Sequence, residues 1–148
     1  THNLGTNRLL EALVEDLPVA DNRLRLDSRV DAFGVPLARV THTTHPASKK
    51  LWAALLEEGR AIFEAAGARE VWTGPQAAMH IMGGTVMGKD ASSSVCNGYG
   101  QTHDLPNLVI AGPGLFPSSG GVNPTFTVHA LAARSARYLL ENWNSIIR

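Results

Sequence analysis

The sequence predicts an α+β fold, and three observations carry that prediction. Residues 22–43, NRLRLDSRVDAFGVPLARVTHT, alternate loosely between apolar and polar side chains, as a pair of strands does. Two segments, 47–66 and the stretch from Pro124 onward, repeat apolar residues at helical spacing. Between them, residues 80–123 are rich in glycine and serine, with one short apolar run, NLVIAG at 107–112.

Each element has its own justification. Leu24 and Leu26 share one face of a first strand, and Val35, Leu37 and Val40 mark a second after a turn at Phe33-Gly34. Pro46 opens a helix through Trp52, Leu55, Leu56, Phe63 and Ala66, with Gly67 as its stop. The Trp52–Phe63 stripe reads as core. EVWTGP, residues 70–75, is expected to form a short strand, and NLVIAG a buried one. The last helix runs from Pro124 through Val128, Leu131, Leu139 and Trp143, with Asn123 at or near its N-cap and proline in the first turn. Residues 1–79 are expected to form mainly an antiparallel sheet with helices on one face.

Bulk properties exclude several classes. The chain has 148 residues, enough for one domain or part of a larger protein. Thirteen Lys and Arg balance thirteen Asp and Glu, so no basic field points to nucleic acid or an anionic membrane. The single cysteine, Cys96, rules out an internal disulfide and is expected to be structural. No apolar run reaches the roughly 18 residues of a membrane span. There is no signal-peptide pattern, and the start at Thr1 suggests a processed or truncated product. The compartment stays open between cytoplasm and periplasm.

The stretch SSGGVNPTFTVHALAARSARYLL, residues 118–140, raises the main functional question. A polar amide at the mouth of a mostly apolar helix is ordinarily a cap. The first-turn N–H groups can also stabilise negative charge, because the helix dipole places roughly half a positive charge there. The small residues before Asn123 would let a flat ring approach the backbone closely. Spacing alone does not choose among flavin, phosphate and carboxylate. VIAGPGLFP imitates the opening of a dinucleotide fingerprint, but Pro117 stands where the third glycine belongs and no βαβ unit follows. His42 and His45 lack a carboxylate or cysteine at ligand spacing, so no metal site is expected. His103-Asp104 before Pro106 shapes a turn, and His129 is expected to pack inside the last helix.

Residues 80–139 as a whole resemble the C-terminal signature of the glucose–methanol–choline (GMC) flavin oxidoreductases, in particular the sugar and polyol dehydrogenases and sugar oxidases. The elements are His80-x-x-Gly83 followed by Met87-Gly88, the THDLPNL approach to a strand, the Phe116-Pro117 turn, and NPTFTVHALAAR from Asn123. The resemblance implies that His80 is the catalytic histidine and Asn123 its partner. It implies that FAD is contacted by Ala111 and Gly112, and at its pyrimidine end by Asn123, Pro124 and Thr125. Gly84 departs from the threonine that many members carry, and Ala111 from the aspartate common among the oxidases. The implied reaction oxidises a CH–OH group of an alcohol, sugar or polyol. Histidine, with an ordinary pKa of about 6.5, takes the hydroxyl proton, and a hydride passes to flavin N5. An amide donor beside the growing alcoholate would contribute ~2–4 kcal/mol.

The resemblance also implies an incomplete molecule. Family members bind the ADP part of FAD through a Gly-x-Gly-x-x-Gly turn near the N-terminus of a much longer chain, and this sequence has no such turn. Residues 1–79 then read as part of a substrate-binding domain. Residues 80–148 read as catalytic loops and the C-terminal strand and helix of an α/β FAD-binding domain. The expected partners are the substrate, a missing FAD-binding portion or companion chain, and an electron-transfer protein. The alternative is an isolated module that binds an anion or a protein without catalysis. Either way, apolar surface should stand exposed where the rest of the molecule belongs.

Overall fold

The computed structural model describes residues 8–77 and 79–146. Strands β1, Arg23–Val30, and β2, Pro36–Thr41, form an antiparallel pair, with Leu24 opposite Val40 and Arg25 opposite Arg39. Asp31 builds the turn between them. Its carboxylate accepts the N–H groups of Phe33 at 2.8 Å and Val35 at 2.9 Å, while Gly34 takes φ +80°. The register shifts between Leu26 and Val30, where Asp27 folds back to accept from the Arg29 backbone and guanidinium.

Helix α1, Pro46–Ala65, starts where proline predicts it, because proline costs nothing at a first helical turn. His45 caps it, its Nδ1 accepting from the Ala47 N–H at 3.1 Å. At the other end Gly67 adopts φ +80°. Its N–H donates to the Glu64 carbonyl and that of Ala68 to the Phe63 carbonyl, a Schellman motif. The N-terminal segment reaches the helix start, where the Leu17 N–H donates to buried Ser48 at 3.0 Å. Neither long helix lies broadly across the hairpin, and among the described residues the expected sheet with helices on one face reduces to a two-stranded ribbon. Trp52 and Phe63 are only half-buried.

Residues 83–116 form no extended sheet. Backbone bonds lace them together: Gly83 donates to Pro113, Thr85 to Gly114, Met87 to Leu115, Val95 to Val86 and Ile110 to Gly100. Cys96 and Leu115 sit inside this lattice at 0 % and 1 % exposure. The strand expected at EVWTGP does not form, since residues 70–75 find no ladder partner. NLVIAG is also not a full strand: only Val109 bridges, to Gln101, before the chain enters a 3-10 turn at Pro113–Leu115. Helix α2, Thr125–Glu141, and the short α3, Trp143–Ile146, close the described residues. No helix among them is long and apolar enough to cross a membrane.

Much apolar surface stays in solvent. Leu26, Trp72, Ile81 and Val122 are well exposed, and Phe33 and Phe126 are about nine-tenths exposed. This meets the expectation of uncovered apolar surface.

Candidate functional site

Three segments carry the site residues expected from the sequence. The first is the loop of His80. Among the described residues His80 is the only non-glycine with positive φ, +54°, a conformation that histidine tolerates better than most side chains but that remains uncommon. Gly83 and Gly84 follow at φ +83° and +89°, so the loop turns repeatedly through space that favours glycine. A Cβ at Gly84 would stand 3.1 Å from the Leu24 side chain of β1, in a backbone conformation that strains a threonine. The departure from the resembling family at this position therefore fits its surroundings.

The second segment is Ala111-Gly112. Gly112 has φ +116° and ψ −170°, a region open essentially to glycine alone. Ala111 is exposed and Gly112 half-buried, and an added Cβ at Gly112 would meet nothing within 4 Å. This segment and the His80 loop are stitched together just beyond the site, by the Gly83 N–H donating to the Pro113 carbonyl at 3.2 Å.

The third segment is the start of α2, where the structure narrows the expectation that Asn123 lies at or near the N-cap. Pro124, not Asn123, occupies the N-cap position, at φ −91° and ψ 0°. No side chain caps the helix, and no acidic residue stands in its first turn. Proline has taken the boundary position, so the Asn123 amide lies one residue outside the reach of a cap. The carboxamide is exposed, and so are Val122 and Phe126 beside it. Upstream, Gly121 lies close against the backbone of Leu13–Glu15. No hydrogen bond joins His80 to Asn123 among the described residues. The structure thus ties the His80 loop, through Gly83, to Pro113 next to Ala111-Gly112, while Asn123 stands exposed at an open helix mouth.

The orientation of that mouth is fixed from behind. Tyr138 of α2 stacks on Tyr99 with ring centroids 4.2 Å apart and planes 8° from parallel, and the Arg134 guanidinium covers the Tyr99 ring at 4.5 Å. The Tyr138 hydroxyl donates to Gln101 Oε1 at 3.0 Å, and Gln101 Nε2 donates to the Pro106 carbonyl at 2.8 Å. Ser135 is buried against Gly100. Sequence reasoning missed these supports, because Gln101 and Tyr138 lie 37 residues apart and no spacing rule connects them.

Two of the other singled-out histidines have polar partners. His42 Nε2 lies 3.0 Å from Asp16, and His103 Nε2 lies 2.9 Å from the Ser94 hydroxyl. His129 is exposed on α2, against the expectation that it packs. Burial pushes the Cys96 thiol pKa up, as suits a structural thiol. Among the described residues no group of His, Cys, Asp and Glu could hold a metal ion.

The GMC oxidoreductase family model, for the C-terminal part of these enzymes, matches residues 18–132. The chain is 34 % identical over 132 residues to paromamine 6'-oxidase of Streptomyces fradiae, covering 86 % of this chain and 24 % of that protein. It is 36 % identical over 153 residues to 2-methyl-1,2-propanediol dehydrogenase of Mycolicibacterium austroafricanum, covering 98 % and 27 %. Against the fructose dehydrogenase large subunit of Gluconobacter japonicus it is 36 % identical over 131 residues, covering 86 % and 24 %. The chain therefore spans about a quarter of the length of these relatives. With most of its length inside one family model and relatives above 30 % identity along nearly all of it, this chain belongs to the GMC oxidoreductases.

Proposed function

We propose that the chain supplies the catalytic residues of an FAD-dependent oxidoreductase acting on a CH–OH group of a sugar or polyol. Its relatives include an oxidase of paromamine and dehydrogenases of fructose and a propanediol, which supports that substrate class. The portion that binds the ADP part of FAD would come from outside these 148 residues, which carry no Gly-x-Gly-x-x-Gly turn. In this reading residues 1–79 belong to the substrate-binding domain and residues 80–148 to the FAD-binding domain.

The observation that supports the reading is the uncapped, acid-free start of α2 beside Asn123. A side-chain cap would occupy the first-turn N–H groups, and a carboxylate would repel negative charge. Neither is present, so the mouth fits the electron-rich pyrimidine edge of a flavin. Ala111, Gly112, Asn123, Pro124 and Thr125 would hold that ring. Bound FAD would supply the hydride acceptor. His80 would take the proton of the substrate hydroxyl, and Asn123 would donate a hydrogen bond to the same oxygen and hold it beside the imidazole. A positioned base contributes roughly 10²–10⁴-fold and an amide donor at a developing oxyanion roughly 10²–10³-fold.

The test is anaerobic flavin bleaching by a panel of sugars and polyols, using the complete flavoenzyme. His80→Ala and Asn123→Ala should each slow reduction by about two orders of magnitude or more. Reduction at the unmodified rate in both variants removes the proposal.

A further inference from the structure

Gln101 touches none of the candidate site residues yet stands between two of their anchors. Its Oε1 accepts from the Tyr138 hydroxyl at 3.0 Å and from Asn97 Nδ2 at 3.4 Å. Its Nε2 donates to the Pro106 carbonyl at 2.8 Å. Both ends of the amide are thus engaged, one by the C-terminal half of α2 and the other by the chain that leads to Ala111-Gly112. On that path the Thr102 N–H donates to the Leu108 carbonyl at 3.0 Å and the Ile110 N–H to the Gly100 carbonyl at 2.8 Å. A Cβ on Gly100 would collide with the Ile110 carbonyl oxygen, so turn and segment are in van der Waals contact. Beyond Tyr138, the ring of Tyr99 is held from one side by Tyr138 and covered by Arg134, one helical turn nearer the mouth.

We propose that Gln101 and Tyr138 form a positioning pair that sets where the α2 mouth stands relative to Ala111-Gly112. The physical basis is leverage. A helix held rigidly at Arg134, Ser135 and Tyr138 moves as a rod, so a small tilt at that anchorage displaces Asn123, eleven to fifteen residues before those anchors at a rise of about 1.5 Å per helical residue, by a larger amount. Proximity effects make such displacements costly, since a misplacement of about 1 Å lowers rate steeply. The pair acts through Asn123 and Gly112 and does not touch the reacting atoms. This proposal rests on the flavin reading for its kinetic consequence, but not for the mechanical coupling itself.

The experiment uses the complete flavoenzyme carrying Tyr138→Phe, which removes one hydroxyl and keeps the ring stack, and Gln101→Leu, which removes all three side-chain hydrogen bonds of Gln101. Arg137→Ala is the control, because Arg137 pairs only with Glu141 on the exposed side of α2. Two readouts are taken: amide hydrogen exchange, and anaerobic flavin reduction with its substrate dependence and visible spectrum. Both variants should accelerate exchange together at the hydrogen-bonded Leu108 and Ile110 amides and at the first hydrogen-bonded amide of α2, Val128. They should slow reduction roughly three- to tenfold at saturating substrate while half-saturation stays near its original value, with a shift of the flavin spectrum. Arg137→Ala should do none of this. Exchange that accelerates only around residues 134–142, or reduction and spectrum unchanged in both variants while His80→Ala is slow, overturns the proposal. If His80→Ala and Asn123→Ala also reduce normally, the flavin reading has failed, and the exchange arm alone decides the mechanical coupling.

Discussion

Gly100 and Gly34 provide a matched pair of perturbations. Both have nearly the same left-handed backbone, φ +82° and +80°. Gly34 lies in the hairpin turn, where an added Cβ meets nothing within 4 Å. At Gly100 the same atom would fall on the Ile110 carbonyl oxygen and 3.4 Å from the Ser135 hydroxyl. Gly34→Ala should therefore cost only the conformational term, about 1–2 kcal/mol. Gly100→Ala carries that term together with overpacking and a weakened Ile110-to-Gly100 hydrogen bond, about 3–6 kcal/mol in all. The change in unfolded-chain entropy is common to both and cancels in the comparison. Urea unfolding of the two variants gives the difference. Native-state exchange should locate it: Ile110, Thr102 and His103 should open about a hundredfold or more faster in Gly100→Ala and at the original rate in Gly34→Ala. Equal costs for the two variants would refute the claim that backbone contact between the 97–102 turn and the 108–112 segment organises this half of the chain.

Further outcomes follow from the same lattice. Leu115→Ala should destabilise by about 2–5 kcal/mol in urea unfolding, because Leu115 is 1 % exposed and its removal leaves a cavity. Cys96, 0 % exposed with its pKa raised by burial, should resist iodoacetamide in the native protein and react on denaturation; rapid native alkylation would contradict its placement. The Ser92 backbone N–H, and then its side chain, hold the Asp90 carboxyl below its ordinary value of 3.8. A depressed native pKa means stability that is present above that ordinary value and is lost as pH falls through the native one. Asp90→Asn should therefore flatten the stability profile below about pH 4, and an unchanged acid slope would count against the turn.

What the sequence disclosed depends on the range of the interaction. The hairpin turn at Asp31–Gly34 and the Pro46 and Gly67 boundaries of α1 were legible because local backbone chemistry decides them within four or five residues. EVWTGP and NLVIAG were misread because strand propensity is only a disposition to pair. The Gly100 and Leu108 groups that could have built a ladder with the second run are used in a tight turn-to-segment exchange instead. Asn123 stands next to the cap, as its Asn-Pro step indicated, while Pro124 itself takes the boundary conformation. His80 and Asn123 emerged from the ordered motif rather than from any one residue type, and the positive φ of His80 could not be read from sequence. Gln101 and Tyr138 stayed hidden because their meeting depends on the whole path of residues between them.

The surroundings of the α2 mouth also bear on the choice between a flat cofactor and a simple anion. A phosphate or carboxylate asks for N–H donors and positive charge, and gains nothing from neighbouring apolar side chains. Here the donors are flanked by Val122 and Phe126, both far out in solvent, and no Lys or Arg stands between Pro113 and Ala133. Keeping large apolar groups uncovered at a polar helix end is unfavourable unless something with an apolar face covers them. An isoalloxazine ring offers both surfaces at once, a hydrogen-bonding edge for the N–H groups and an apolar face for the side chains. The mixed character of this mouth, more than its dipole, is what favours the flavin reading over a module that binds a bare anion.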